Sequence, residues 1–208
     1  MDSILVKDRY FKPFIPAAEI AQRVAEVAAE ISADFEGRNP LLLAVLNGSF
    51  VFAADLARQL TIPFTISFIR LSSYEGMEST GELKEVIGLS ENIGGRPLII
   101  VEDIIDSGLT MASLLESLRR RNPTEIRVCT LLTKPGNLKA DVRIDYSAFS
   151  IPNDFIVGYG LDYDGFGRGL KEIYLVDTKA SAQTRTEKKK TNHIIHEKHH
   201  HLRRSGLW

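Results

Sequence analysis

The sequence predicts an α/β protein whose mostly parallel, doubly wound central sheet carries helices on both faces. The run Leu41–Leu46 is continuously apolar, as is typical of a strand that is buried on both faces, and residues 126–133 form a second, mostly apolar strand. Segments with apolar residues at helical spacing separate the predicted strands. Parallel neighbours need a crossover that is usually a helix, so alternating strands and helices predict this architecture. A chain of 208 residues is long enough for one such domain.

The elements are predicted in the following order along the chain. After Pro16, apolar residues at helical spacing predict an amphipathic helix; they are Ile20, Val24, Val27, Ile31 and Phe35. Further helices are predicted at about residues 50–60 and 111–121. Strands are predicted at residues 41–46, 64–71, 86–89, 98–101, 126–133, 155–159 and 173–176. Ligands bind beyond the carboxyl ends of such strands, where we expect Asn47, Gly48, residues 102–110 and Lys134.

The last 28 residues, 181–208, form a separate compositional zone. They hold seven Lys and Arg, two acidic residues and all five histidines, with few apolar residues to bury. The sequence therefore predicts one folded domain at residues 1–180, followed by a basic, His-rich tail that is disordered. The spacing of the histidines matches no closed metal site, and no cysteine joins them.

Composition also excludes several classes of protein. Residues 1–180 keep 19 basic and 25 acidic residues, a net charge of −6 that argues against broad nucleic-acid binding. No apolar run approaches the ~18–20 residues of a membrane span, and the chain opens without a basic, signal-like segment. The single cysteine, Cys129, lies in an apolar strand pattern and is expected to be a buried structural thiol. We therefore expect a cytoplasmic protein that acts on small molecules.

The most informative segment is LIIVEDIIDSGLT at residues 98–110. An apolar strand leads to Glu102 and Asp103, then to Asp106, and a Ser-Gly-Leu-Thr turn opens a helix at Met111. A loop that enters a helix N-terminus offers free backbone N–H groups to an anion such as phosphate. The nearby carboxylates would repel phosphate and instead suit hydroxyls, a metal or a basic ring nitrogen. Phosphorylated ribose fits both ends of this segment.

This segment resembles the 5-phosphoribosyl 1-pyrophosphate (PRPP) motif of type I phosphoribosyltransferases, and EDIIDSGLT most resembles their hypoxanthine-guanine branch. Five motifs in the family's order cover roughly residues 9–177. The resemblance implies the type I phosphoribosyltransferase fold, with a small hood region formed by the N-terminal segment and residues 150–172. It also implies Mg²⁺, a homodimer or homotetramer, and transfer of phosphoribose from PRPP to N9 of hypoxanthine, and of guanine, giving IMP or GMP and pyrophosphate.

The resemblance implies a role for each residue of the PRPP motif. Glu102 and Asp103 would hold the ribose hydroxyls and the water shell of Mg²⁺. Asp106 would be catalytic, accepting the N7 proton of the purine as N9 attacks, or stabilising charge on the base. The 5′-phosphate would be cradled by four residues, Ser107, Gly108, Leu109 and Thr110. Leu109 departs from members that have Lys at this position.

Two loops complete the phosphate end of the implied site. Residues 46–49 resemble the family's first loop, where a cis peptide directs backbone N–H groups at Asn47 and Gly48 toward pyrophosphate. Many members carry Lys where Asn47 stands, so in this chain only backbone N–H groups of this loop would bind pyrophosphate. Residues 68–74, followed by residues 79–81, resemble the mobile second loop, in which Ser73 and Tyr74 close over the substrates as a lid.

By the same resemblance, the remaining two motifs would bind the purine base. Lys134 would donate to the 6-oxo group and disfavour 6-aminopurines, because an ammonium group cannot accept a hydrogen bond. Phe155 would stack on the base, and the carbonyls of Ile156 and Asp162 would meet its Watson–Crick edge. Asp162 would also face a second metal, and Arg168 would contact pyrophosphate.

Each motif alone has an ordinary structural explanation, such as an acidic βα turn, a glycine turn, a surface hairpin, a solvated lysine or a core aromatic residue. Two other functions also remain open at this stage. One is a phosphoribosyltransferase that prefers xanthine and guanine, since it shares the phosphate machinery. The other is a non-catalytic PRPP-sensing regulator, which usually needs a DNA-binding domain or a basic face that residues 1–180 lack.

Overall fold

The structure, a computed structural model, describes residues 3–72 and 84–180. Their elements are three α-helices and ten strands in two sheets. The helices are α1 (Ala17–Asp34), α2 (Phe50–Gln59) and α3 (Leu109–Arg119). The strands are β1 (Ile4–Val6), β2 (Arg9–Ile15), β3 (Leu41–Leu46), β4 (Thr65–Ser72), β5 (Lys84–Ile87), β6 (Pro97–Ile105), β7 (Glu125–Thr133), β8 (Tyr146–Ser150), β9 (Ile156–Val157) and β10 (Ile173–Val176). A short 3₁₀ helix, Pro135–Asn137, follows β7.

The larger sheet has the strand order β5-β4-β3-β6-β7-β8. The adjacent strands in the series β4-β3-β6-β7-β8 are all parallel. Strand β5, at one edge of this sheet, pairs antiparallel with β4. Helices α1 and α2 share a core with one face, which includes Leu42 and Ala44 of β3. Helix α3 covers the other face, with Leu41 and Leu43 of the same strand. The predicted doubly wound α/β fold is confirmed, and burial on both faces explains why β3 is apolar throughout.

The path of the chain places a crevice between β3 and β6. From β3 the chain passes through α2 to β4 on one side, and it later returns to β6 on the other side of β3. Because successive connections leave β3 and β6 in opposite directions, the loops that follow these strands diverge. Open α/β sheets bind ligands at this kind of switch point.

The smaller sheet, with the order β1-β2-β10-β9, is antiparallel throughout and includes β10, which lies just beyond the limit of residue 172 that was predicted for the hood region; this sheet and the residues between β9 and β10 are called the hood. The sequence analysis did not predict β1 and β2, because Lys12 and Pro13 interrupt the apolar pattern of β2. The predicted strand at 155–159 is too long. Strand β9 ends at Val157 because Gly158, Tyr159 and Gly160 all have positive φ and turn the chain.

Other boundaries also differ from the prediction. Strand β6 continues to Ile105, which pairs with Thr133 of β7, so Glu102 and Asp103 lie within the strand and not after it. Helix α3 begins at Leu109, two residues earlier than predicted. Strand β5 ends two residues before the predicted position, and β8 was missed because its short YSAFS sequence is half polar. The tail at 181–208 lies outside the described residues.

Candidate active site

Three of the predicted site residues follow adjacent strands of the larger sheet. Asn47 follows β3, Asp106 follows β6 and Lys134 follows β7. Because β6 pairs in parallel with both β3 and β7, the carboxyl ends of all three strands meet at one edge. The site edge also lies at the β3–β6 switch point described above. The structure therefore brings these residues of three predicted motifs to the same edge of the sheet.

The loop between β6 and α3 is shaped as the sequence predicts for an anion site. Gly108 adopts a left-handed conformation, with φ of 76°, and α3 begins at the next residue. The Ser107 hydroxyl lies 3.4 Å from the Leu109 N–H. The N–H groups in the first turn of a helix have no carbonyl acceptor within that helix, so they can bind an anion. An open pocket of about 120 Å³ lies beside this loop. Its walls are Glu102, Ile104, Ile105, Asp106, Ser107, Gly108, Thr110 and Met111.

The turn after β3 lies directly against the acidic end of β6. The Leu46–Asn47 peptide is cis, as the resemblance implies. The buried Ser49 hydroxyl donates to the carbonyl of Val45 at 2.6 Å and closes this turn. A Cβ atom on Gly48 would lie 1.5 Å from Oδ2 of Asp103, so only glycine allows this approach without displacement of the carboxylate.

The two adjacent carboxylates at the end of β6 differ in their environment. Burial and the negative charge of Asp103 raise the pKa of Glu102 well above its usual value. Oδ1 of Asp103 accepts a hydrogen bond from the Ile104 N–H at 2.9 Å. These oxygens are hard ligands of the kind that Mg²⁺ prefers. Within residues 3–72 and 84–180, however, no three acidic, His or Cys side chains converge as a closed metal site, and Asp162 does not join Glu102 and Asp103.

Asp106 is held from two sides. Nζ of Lys134 donates to Oδ2 at 3.0 Å, and the side-chain amide of Asn137 donates to Oδ1. Lys134 is only 7% exposed, so it is not a solvated strand-end lysine. Burial raises the pKa of Asp106, but the hydrogen bonds from Asn137 and Lys134 outweigh burial and lower the pKa below its usual value. Asp106 is therefore a charged acceptor with a buried cation beside it. Sequence reasoning missed Asn137, which carries no local motif.

The hood region contributes Asp162 and Arg168 as one unit. Nη2 of Arg168 lies 2.6 Å from Oδ1 of Asp162, and Nη1 donates to the carbonyl of Gly160 at 2.7 Å. Oδ2 of Asp162 accepts from the Gly165 N–H at 2.6 Å. Two of the five guanidinium N–H groups are thus used within the hood, which fixes the direction of the others.

Phe155 immediately precedes β9 and is 43% exposed, which is unusual for a core aromatic residue. Its ring centroid lies 5.7 Å from that of Tyr163, in an edge-to-face arrangement, and 6.2 Å from that of Phe11. The neighbouring Ile156 and Val157 are buried. Phe155 therefore rests on two aromatic neighbours and still exposes enough of its surface to contact a flat ligand.

The hood is also joined to the turn after β3, a link that sequence reasoning missed. A Cβ atom on Gly160 would lie 2.1 Å from the carbonyl oxygen of Gly48, so the two backbones touch. The buried Tyr159 donates its hydroxyl to Asp55 of α2 at 2.7 Å. These contacts fix the Arg168 end of the hood relative to the loop at Asn47. The proposed lid residues Ser73 and Tyr74 lie outside the described residues.

Several known proteins are similar to this chain in sequence. The profile of the phosphoribosyl transferase domain family matches residues 16–164. A hypoxanthine-guanine phosphoribosyltransferase of Mycobacterium tuberculosis is 42% identical over 172 residues, which cover 79% of this chain and 85% of that protein. A hypoxanthine phosphoribosyltransferase of Salmonella typhimurium is 43% identical over 152 residues, which cover 72% of this chain and 85% of that protein.

A solved structure is similar over the same region. The crystal structure of a hypoxanthine-guanine phosphoribosyltransferase from Bacillus anthracis superposes with a TM-score of 0.75 at 42% identity. The match covers 80% of this chain and 97% of that one. In the described part of this chain, no helix is both long and apolar enough to cross a membrane. The matched profile, the relatives and the shared fold agree, and the chain belongs to the phosphoribosyl transferase family.

Proposed function

We propose that this protein transfers the 5-phosphoribosyl group of PRPP to N9 of hypoxanthine, and of guanine, in purine salvage. The C1–N9 bond forms, the C1–oxygen bond to pyrophosphate breaks, and the products are IMP or GMP and pyrophosphate. The names of the similar bacterial enzymes support this reaction. The observation that carries the proposal is the Asp106–Lys134 pair, in which Asp106 immediately precedes residues 107–110, the proposed anion-binding loop.

The phosphate end of the substrate would lie along two backbone segments. The N–H groups of Ser107, Gly108, Leu109 and Thr110 would hold the 5′-phosphate at the N-terminus of α3, where the helix dipole favours an anion. The N–H groups at Asn47 and Gly48 would hold pyrophosphate, together with the free N–H groups of Arg168. Because Asn47 carries no charge, Arg168 would be the principal cation of the hood for the leaving group.

The residues at the end of β6 fit Mg²⁺ as a cofactor. Glu102 and Asp103 offer carboxylate oxygens but no closed site, which suits an ion that keeps several waters and takes substrate oxygens as ligands. When bound, Mg²⁺ would neutralise charge on the leaving pyrophosphate. Glu102 and Asp103 would orient the 2′- and 3′-hydroxyls of the ribose through hydrogen bonds and metal-bound water. Asp162 would face a second Mg²⁺, with its charge partly balanced by Arg168.

The purine end would use Asp106 and Lys134 together. O6 and N7 lie side by side on one edge of a 6-oxopurine, so a cation and a carboxylate 3.0 Å apart can bind both atoms. Lys134 would donate to O6, and Asp106 would accept the N7 proton as N9 attacks the ribose. Phe155 would stack on the base, and carbonyls at Ile156 and Asp162 would contact the Watson–Crick edge. Turnover of PRPP with hypoxanthine, measured against binding of PRPP alone, tests the proposal against a PRPP sensor.

We further propose that residues 1–180 form the catalytic domain of a cytoplasmic homodimer or homotetramer. Phe50, Ile66 and Phe68 are large apolar residues between 37% and 44% exposed, and a subunit contact would bury them. Cys129 is a free, buried thiol, which suits a reducing compartment. Sedimentation equilibrium of the full chain tests the oligomeric state.

A further inference from the structure

The segment after β7, residues 134–140, supports the anion-binding loop by contacts that the family resemblance does not assign. The N–H groups of Lys139 and Ala140 both donate to the carbonyl of Ser107, at 2.9 and 3.3 Å. The side chain of Leu138 packs against Gly108, because a Cβ atom added to Gly108 would lie 3.3 Å from Cδ2 of Leu138. The backbone of this segment therefore fixes the start of the loop that would hold the 5′-phosphate.

Two side chains of the same segment hold Asp106. Lys134 donates to Oδ2 and Asn137 donates to Oδ1, so each carboxylate oxygen of Asp106 has its own donor. Asn137 ends the 3₁₀ helix, and its backbone N–H donates to the carbonyl of Lys134 at 2.9 Å. The short helix therefore keeps the two donors at a fixed separation, one on each oxygen of Asp106.

The two donors differ in a way that matters for a purine. Lys134 has three N–H groups and can donate to a base while it still touches Asp106. Asn137 is neutral and partly buried, and its amide leaves lone pairs on Oδ1 and Oδ2 free to accept a proton. Without Asn137, the carboxylate could rotate about its Cβ–Cγ bond and draw the Lys134 ammonium onto both oxygens. Lys134 would then be turned away from O6.

We propose that Asn137 is a positioning residue, which holds the Asp106 carboxylate in the orientation that accepts a proton from the base and keeps Lys134 available. The inference rests on the proposed function and names a further residue of the same site. Charged groups near Asp106 on this segment are Lys134 and Lys139, and both lower its pKa, as does the Asn137 amide, against the opposing effect of burial. Loss of the amide therefore raises the pKa of Asp106.

The test compares Asn137→Ala and Asn137→Gln with wild type and with Asn39→Ala. Asn39 is exposed and lies just before β3, at the opposite end of the sheet, so its replacement controls for loss of an amide elsewhere. We expect Asn137→Ala to lower kcat with hypoxanthine about tenfold, the effect of one hydrogen bond to a charged group. KM for PRPP should stay within twofold. The acidic limb of the kcat/KM profile should move to higher pH, and Asn137→Gln should recover most of the lost rate.

A double-mutant cycle with Asp106→Asn separates positioning from a structural role. If Asn137 acts through the carboxylate, Asn137→Ala should have almost no further effect on kcat in the Asp106→Asn background. A uniform fall across the pH profile, equal losses in both backgrounds, or wild-type kcat in Asn137→Ala would each overturn the inference. Failure of wild type itself to convert hypoxanthine would instead overturn the proposed function, so the two failures are distinct.

Discussion

The Cα of Gly48 lies against the carboxylate of Asp103, so close that a Cβ on residue 48 would sit 1.5 Å from Oδ2 and 2.4 Å from Cγ. This contact joins the turn after β3 to the acidic end of β6. It occurs at the switch point of the sheet, where the two loops diverge. The pyrophosphate and ribose ends of the proposed site therefore meet at a point where the chain has no space for a side chain.

Gly48→Ala should damage PRPP use more than folding. The new methyl group must displace either Asp103 or the turn at Asn47, and overpacking of this kind costs about 1–3 kcal/mol of stability. We expect kcat/KM for PRPP to fall about 100-fold, since misplacement of binding groups by 1 Å has effects of that order. The measurement is steady-state kinetics with a thermal melt on the same sample.

Gly169→Ala is the matched control for this substitution. A Cβ on Gly169 would meet nothing within 4 Å. Wild-type kinetics for Gly169→Ala, combined with a large loss for Gly48→Ala, would support the contact. Unchanged PRPP kinetics in Gly48→Ala would show that the Asp103 carboxylate has no fixed role in binding.

Asp106→Asn and Asp106→Ala should lower turnover far more than PRPP affinity. General acid–base assistance is typically worth ~10²–10⁴ in rate, whereas the proposed PRPP contacts lie at neighbouring residues. Both kcat with hypoxanthine and the dissociation constant of PRPP should be measured. A variant that keeps wild-type kcat would remove Asp106 from the mechanism.

Lys134→Met should reduce selection for the 6-oxo group and shift the pH profile. The variant cannot donate to O6, so kcat/KM for hypoxanthine should fall about 10- to 100-fold, in line with one lost hydrogen bond from a charged donor. Removal of the lysine also removes a contribution that lowers the pKa of Asp106. The folded-state pKa therefore rises, and activity on the acidic side should be lost at a higher pH than in wild type.

The role of Lys134 in base selection is tested by the ratio of hypoxanthine use to adenine use in wild type and in Lys134→Met. Wild type should use adenine poorly, because the Lys134 ammonium and the exocyclic amine are both donors. An unchanged ratio of hypoxanthine to adenine use in Lys134→Met would contradict the assigned role.

Removal of residues 181–208 should leave the reaction intact. Every proposed site residue lies at or before Arg168, and β10 ends at Val176. The Asp177 side chain accepts hydrogen bonds from Ser3, Lys179 and Ala180. A protein that ends at Ala180 therefore keeps all three of these hydrogen bonds. We expect kcat and KM within twofold of the full chain. A tenfold loss with an unchanged circular dichroism spectrum would assign the tail a part in the active site.

Much of the central sheet could be predicted from local sequence. Strand β3 is apolar throughout and the buried part of β7 is mostly apolar, and the strand–acid–turn pattern at residues 98–110 placed Asp106 beside a helix N-terminus. Edge and hood strands could not be predicted as well. Strands β1, β2 and β8 are short or partly polar. Strand β1 pairs with its neighbour β2, which in turn pairs with the distant β10, and β8 pairs with β7, so local sequence alone does not specify these strands.

The contacts within the candidate site could not be predicted from local sequence. Asn137 is 31 residues from Asp106, and nothing in the local sequence KPGN indicates their hydrogen bond. The Gly48–Gly160 contact likewise depends on how the hood meets the larger sheet. Local patterns specify strands and turns, whereas the partner of each polar group depends on tertiary packing.

The proposed phosphoribosyl transfer is tested by a steady-state comparison of hypoxanthine, guanine, xanthine and adenine with PRPP and Mg²⁺, in which nucleotide and pyrophosphate are both quantified. We expect equimolar IMP and pyrophosphate with hypoxanthine, substantial turnover with guanine and little with adenine. Xanthine use above that of hypoxanthine would assign the chain to the xanthine-guanine-preferring type. Tight binding of PRPP without nucleotide formation from any of the four bases would contradict the claim that this protein is a purine phosphoribosyltransferase.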